Sequence, residues 1–393
     1  MRITEVRAYA VKLPRDLGQS AGTAGSPAPL RGETEYRCAE KYPTVYSSQI
    51  ETTLVEVVTD SGLRGWGEAQ SPVAPEITAA IVNTLLGPMI RGEDALAPEH
   101  LWDRMYSAMR VRGQTGGFYL DAIAGIDIAI WDLCGKAMGQ PVYRLLGGPC
   151  RGTVPYYVSG LAGATHEERV AFARSHLEQG AGGFKVFLHA DVENCLALVR
   201  AIREQSQTVE IFVDALWRLQ LKEAERFAAA LADLNVGWLE APLNPEDVAG
   251  HTALASVSRV PIAIGESYRT RFELLPFFER RAMQIVQPDL GRTGLTEARK
   301  IASMAEVFHM TVAPHLSIGL GPQIAAAIHF SAACPNLKIL ECNPNIYETA
   351  NRFLQQPLEW TGSAMNPPQA PGLGIELGFE AIEPFIVKGA GAE

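Results

Sequence analysis

The chain has 393 residues, 47% of them hydrophobic and 20% charged, with a net charge of −10. That length buries a large core and favours two domains over one. The acidic balance excludes a general nucleic-acid or membrane-surface partner, because both need a basic patch, while leaving small anionic substrates open. The six cysteines (38, 134, 150, 195, 334 and 342) form no CxxC pair. A disulfide or zinc framework is therefore not expected, and a reducing, cytoplasmic setting is. The first residues, MRITEVRAYAVKL, show no cationic-then-apolar leader pattern, and no apolar run reaches the roughly 18 residues of a membrane span.

In chain order, Ile3, Val6, Ala8, Val11 and Leu13 give residues 1–13 the pattern of a half-buried strand. Residues 14–46 are rich in Gly, Ser, Ala, Thr and Pro. A loop this long in a compact domain reads as a lid, so a mobile flap is expected there. TTLVEVVTDSG and LRGWGEA read as a hairpin turning at Asp60, Ser61 and Gly62. Helical patterns follow around 76–86 and 100–110, so roughly the first 120 residues form an α+β unit. Residues 121–138 (DAIAGIDIAIWDLCGKAM) are apolar nearly all round and are closed by Gly139 and Pro141. They predict a buried helix where two domains meet, with Asp127 and Asp132 as polar packing contacts.

From 153–158 onward the pattern becomes periodic. Short apolar runs each end on one ionisable group: GFKVF on Lys185, EIFVDA on Asp214, VGWLEAP on Glu240, IAIGES on Glu266, IVQPDL on Asp289, MTVAPH on His315 and LKILEC on Glu341. The step is 26 residues from Asp214 to Glu240, from Glu240 to Glu266, and again from His315 to Glu341. Helical stretches such as KEAERFAAALADL lie between the runs. Strand alternating with helix predicts βαβ units in series and a closed (β/α) barrel, whose strand C-termini share one mouth. The later stretch APGLGIEL (370–377) reads as a return onto the N-terminal unit.

Asp214, Glu240 and Glu266 then end three consecutive strands about 4.8 Å apart. Taken singly, each reads as a salt-bridge partner for Arg or Lys. Three together carry a repulsion that a hard divalent cation relieves, and oxygen-only donors favour Mg²⁺ over zinc. Asp289 and His315 end the next two strands. A carboxylate beside an imidazole fixes its tautomer and raises its basicity, as a general base requires, whereas a lone His reads as a core residue. Lys185, flanked by Phe184, Val186 and Phe187, reads as an acid/base or as the partner of a substrate carboxylate rather than a snorkelling surface lysine. Glu341 reads either as a protonated donor to a developing oxyanion or as an ion-pair partner.

Over essentially its whole length the chain resembles the mandelate racemase group of the enolase superfamily. The resemblance rests on GIDIAIWDLCGKAMGQPVYRLLGG, on the acids of VDA, WLEAPL and IGES, on QPDLGRTGLTEARKIA, on APHLSIGLGP and on APGLGIEL. It implies a modified (β/α)7β TIM-like barrel at 121–354 beneath an α+β capping domain at 1–120, with 355–393 returning to the cap. It also implies Mg²⁺ on Asp214, Glu240 and Glu266, a His315–Asp289 base acting on the proton α to a carboxylate, and a homo-oligomer. GESYRTRFEL with APHLSIGLGP is most similar to acid-sugar dehydratases of the galactonate type. That implies loss of a β-hydroxyl to give a 2-keto-3-deoxy acid, with Lys185, Trp217, Arg271 and Glu341 as substrate contacts.

Two positions depart from the group. Phe187 stands where a second lysine of a Lys-x-Lys pair is usual, removing the second base that racemisation needs. Leu216 stands where relatives carry Asn or His, and Trp217 after it is expected to wall the pocket. The alternatives are an epimerase or cycloisomerase using Lys185 opposite His315, and a metal-binding barrel without catalysis.

Overall fold

The computed structural model describes residues 1–14, 28–29, 35–38 and 44–388. Much of the flap expected over 14–46 lies outside the described residues. Within them, Ala28–Pro29, Tyr36–Cys38 and Val45–Ser47 form a small antiparallel sheet. Tyr36 ties that sheet down, its hydroxyl accepting from Lys12 Nζ (3.2 Å) and Ala74 N (3.0 Å) and donating to Glu51 (3.2 Å).

Strand β1 (Ile3–Pro14) pairs antiparallel with β2 (Gln49–Thr59), and β2 with β3 (Arg64–Ala69). Helix α1 (Pro98–Arg110) and helix α2 (Gly117–Met138) pack on this sheet's side of the molecule. Every residue of α2 from Tyr119 to Gly135 is buried, as its all-round apolar pattern requires, and Gly139 ends it at φ 64°. The contact with β3 is backbone on backbone. A Cβ at Gly67 would lie 1.9 Å from the Gly125 carbonyl oxygen, so only glycine admits this helix so close to the strand.

Eight parallel strands follow: β4 (Val154–Val158), β5 (Gly183–Phe187), β6 (Glu210–Asp214), β7 (Trp238–Glu240), β8 (Ile262–Ile264), β9 (Ile285–Val286), β10 (Thr311–Val312) and β11 (Leu340–Cys342). Between them run α3 (His166–Glu178), α4 (Val192–Gln205), α5 (Leu221–Asp233), α6 (Val248–Val257), α7 (Arg271–Glu279), α8 (Leu290–Val307) and α9 (Pro322–Ala333). Neighbours pair in order from β4 to β10, β11 pairs β4, and a bridge from Val312 to Leu337 joins the two ends, closing the (β/α)7β barrel. Tyr157, Phe212, Trp238, Ala263, Ile285, Ala313 and Ile339 form a separate apolar cluster filling the barrel interior. Side chains alternate along a strand, so residues two further on face the same interior, one layer nearer the C-terminal mouth. Those residues are Ser159, Asp214, Glu240, Gly265, Gln287, His315 and Glu341.

Buried acids bind the two parts of the chain. Asp121 pairs with Arg269 at 2.9 and 3.1 Å. Asp127 accepts from Thr296 N (2.9 Å) and its hydroxyl (2.6 Å), capping α8 where Gly294 (φ 68°, ψ 177°) breaks and restarts it. Asp132 accepts from Trp66 N (2.9 Å), Leu373 N (2.8 Å) and Lys136 (2.6 Å). Asp127 and Asp132 thus make the packing contacts expected of them. At the end of β3, Glu68 accepts from Leu320 N (2.7 Å) and Gln323 N (3.2 Å) at the positive N-terminus of α9. The closing segment touches both parts of the chain, with Pro141 bridging to Gly372 and Val11 to Ile386. Among the described residues no helix is long and apolar enough to cross a membrane.

Candidate active site

Parallel pairing sets the level of each strand-end group. Glu240 lies directly opposite Asp214 in the β6–β7 register, and Asp289 bridges to His315 through the backbone just beyond β9 and β10. Lys185, fully buried inside the mouth, places Nζ 2.9 Å from Glu240 Oε1, 2.8 Å from Glu341 Oε1 and 3.6 Å from Asp214 Oδ2. His315 sits with Nδ1 2.7 Å from Asp289 Oδ2 and Nε2 2.8 Å from Glu266 Oε2, and Glu341 Oε2 lies 4.0 Å from Nε2. Seven groups are thus brought into one network, with Asp289 joined through the imidazole. Asp289 is itself fixed as the N-cap of α8, accepting from Gly291 N at 2.9 Å.

The electrostatics follow from crowding. Burial works against the Lys185 charge, but the carboxylates of Glu240 and Glu341 push its pKa well above the lysine value, so it is held as an ammonium. Burial likewise opposes an imidazolium at His315, yet Glu266, Glu341 and the Asp289 hydrogen bond push it well above the usual value. For Glu266 burial favours the acid form, and the His315 charge overrides it and holds the carboxyl well below the ordinary range. Asp214 goes the other way, raised well above its ordinary value by burial and then by the Glu240 charge. Between the two readings of Glu341 the contacts give the ion pair, since Lys185 and His315 overcome burial and lower its pKa.

Trp217 is near these groups in a capacity other than a bare wall: its indole Nε1 donates to Glu266 Oε1 at 2.9 Å. Arg271 is not brought into the network. Its guanidinium pairs with Glu297 and lies over the rings of Phe272 and Trp102, at the contact of α7 with α1 and α8. Two groups escaped the sequence reading. Trp238 donates its indole N–H to Glu240 Oε2 at 3.1 Å. Gln287 is fully buried, and neither polar atom of its amide has a partner among the described residues. Its signal was available in QPDL, because Gln287 stands two residues from the inward-facing Ile285 and two from Asp289.

The donor set fits a hard divalent cation. Five carboxylates (Asp214, Glu240, Glu266, Asp289, Glu341) share two cationic side chains, an excess of three acids that falls hardest on Asp214. Asp214, Glu240 and Glu266 offer only oxygen, the donor that Mg²⁺ takes. Among the described residues no three such groups enclose one common ion position; one oxygen of Glu240 faces Lys185 and one of Glu266 faces His315, the other oxygen of each accepting from Trp238 and Trp217.

Comparison with known proteins agrees with this architecture. Residues 41–147 match the N-terminal domain of the mandelate racemase/muconate lactonizing enzyme family, and residues 168–381 match the family described as enolase C-terminal domain-like. The chain is 34% identical over 346 residues to the D-galactarolactone cycloisomerase of Agrobacterium fabrum, covering 84% of this chain and 90% of that one. It is 30% identical over 357 residues to the D-galactonate dehydratase of Pectobacterium atrosepticum, covering 86% and 92%. A crystal structure of an enolase superfamily member from Agrobacterium tumefaciens superposes with a TM-score of 0.93 at 32% identity, over 98% of this chain and 99% of that one.

Proposed function

Because the chain belongs to the mandelate racemase group of the enolase superfamily, we propose that it is a magnesium-dependent dehydratase of an acid sugar. The observation that carries this reading is the asymmetry of proton-handling groups at the mouth. Lys185 is held charged by Glu240 and Glu341, and the side chain two residues on is Phe187. His315, turned by Asp289, is the one imidazole in the network, and it becomes a proton acceptor once a cation takes Glu266 from its Nε2, which suits a single base acting in elimination and not a two-base racemisation.

Asp214, Glu240 and Glu266 would hold the Mg²⁺, whose fixed charge makes the proton α to a carboxylate acidic enough to remove. Asp289 holds Nδ1 of His315, so Nε2 is the atom that exchanges protons. In the proposed sequence Nε2 takes the α-proton of the acid sugar, and the β-hydroxyl leaves as its C–O bond breaks. A proton returned from His315 or supplied by the Lys185 ammonium makes the departing group water. The resulting enol tautomerises to a 2-keto-3-deoxy acid, with net loss of one water.

A second reading has its own support in the relative named as a lactone cycloisomerase. Such a reaction would use the same first proton transfer and release no water. Mass spectrometry of products from a library of acid sugars and their lactones, with H315N as control, separates the two. Products lighter by one water, absent with H315N, support the dehydratase. Isomers of unchanged mass would overturn it in favour of the cycloisomerase, and no turnover across the library would favour a binding barrel.

A further inference from the structure

Trp217 occupies a backbone conformation that bulky residues rarely adopt. Leu216 and Trp217 follow the last residue of β6 in two successive left-handed positions, φ 55° and 58°, and Ala241 after β7 is left-handed too, at φ 46°. Left-handed backbone in a non-glycine residue is strained and persists where the surroundings over-determine it. Here they do: Leu216 N donates to Asp214 Oδ1 (2.8 Å) and Trp217 N to the Ala241 carbonyl (2.7 Å). The paired turn carries the indole across the mouth from β6 to Glu266 beyond β8, where Nε1 meets Oε1 at 2.9 Å. The ring is braced edge-on by His251 and Tyr268, with centroids 6.2 and 6.4 Å away.

The chemistry of the donor matters. An arginine or lysine at this place would fix Glu266 by cancelling its charge. An indole N–H fixes one carboxylate oxygen and brings no charge of its own. We infer that Trp217 is a positioning residue for Glu266, fixing Oε1 so that Oε2, which faces His315, is the oxygen left for the divalent cation, rather than only a wall of the substrate pocket. This rests on the metal reading given above. Partners of this kind, one bond removed from a metal, typically change affinity about 10–100-fold when lost.

The test is Mg²⁺ binding by isothermal titration calorimetry on the full native chain and on W217F, which keeps an aromatic ring and removes the N–H. A dissociation constant raised about tenfold or more in W217F, with an unchanged circular dichroism spectrum, supports the inference. If W217F does not fold, the native chain still decides. Of its six tryptophans, Trp217 should show an indole ¹⁵N–¹H resonance, assigned by its loss in W217Y or by selective labelling, that shifts on addition of Mg²⁺ and shifts less in E266Q. Equal affinity in W217F, or an indole resonance that magnesium leaves unmoved, overturns the inference while the metal site stands. No magnesium uptake by the native chain overturns the metal reading and this inference with it.

Discussion

The barrel mouth and the seam along α2 both bury carboxylates, and they treat them differently. At the seam every acid has donors of its own. Asp127 has Thr296, Asp132 has two backbone N–H groups and Lys136, and Glu68 has the first turn of α9. At the mouth five acids divide two cationic side chains among them. Burial alone therefore does not mark a functional carboxylate. What marks the mouth is convergence: its five acids are drawn to the same two cations, whereas each seam acid keeps donors that no other acid uses.

The largest expected effect breaks the mouth and spares the seam. H315N should lower turnover by roughly 10²–10⁴-fold, the usual worth of a positioned base, with an unchanged circular dichroism spectrum. Activity within a fewfold of native would remove His315 from the chemistry. K185M is expected to be nearly as damaging. It strips Glu240 and Glu341 of their ammonium, which should cost about 3–5 kcal/mol of stability measured by denaturant unfolding without metal. Saturating Mg²⁺ should restore part of that loss by neutralising the same acids. A K185M chain that is fully stable without metal would mean that Glu240 and Glu341 do not depend on the shared ammonium.

The seam gives smaller effects of the opposite kind. D132A leaves two buried backbone N–H groups without an acceptor, so about 1–3 kcal/mol of stability should go, with turnover at saturating substrate retained. A large loss of turnover at full folding would blur the distinction between the regions. The smallest effect is a pH slope. Burial pushes Asp127 and Glu68 up to about 7 from their ordinary values of 3.8 and 4.5. Between those limits the folded chain keeps protons that the unfolded chain has lost. Their contribution is fully present below the unfolded values and is lost as pH rises through about 7. Buried His329, lowered to about 4 from 6.5, acts in the opposite sense, its contribution being lost as pH falls from 6.5 to 4. The difference between native and D127N unfolding free energies should therefore change across pH 4–7 and be flat above about 8. A difference independent of pH would show that Asp127 is ionised throughout.

The barrel was legible because its signal is local. A strand end is a short apolar run with one charge, and the 26-residue step between Asp214, Glu240 and Glu266 repeats the supersecondary unit. Which groups meet across the mouth follows from the same register, as the Asp214–Glu240 and Asp289–His315 pairs show. What escaped was long-range or conformational. Glu68 reaches Leu320 across 252 positions, and nothing near it in sequence announces a helix terminus. Arg271 sits in a suggestive motif, yet it is claimed by Glu297 26 residues on. Trp217 reads as a wall because a left-handed turn at Leu216 and Trp217 is not encoded by residue types that usually adopt it. Gln287 was within reach of strict alternation and was passed over beside the more reactive Asp289.

The most direct test is a crystal of the native chain soaked in Mn²⁺, with anomalous density as the readout. A single ion bound by the carboxylates of Asp214, Glu240 and Glu266, with His315 still on Asp289, is the expected result. An empty mouth at saturating Mn²⁺, with Glu240 and Glu341 still clasping Lys185 and Glu266 still on His315, would contradict the account.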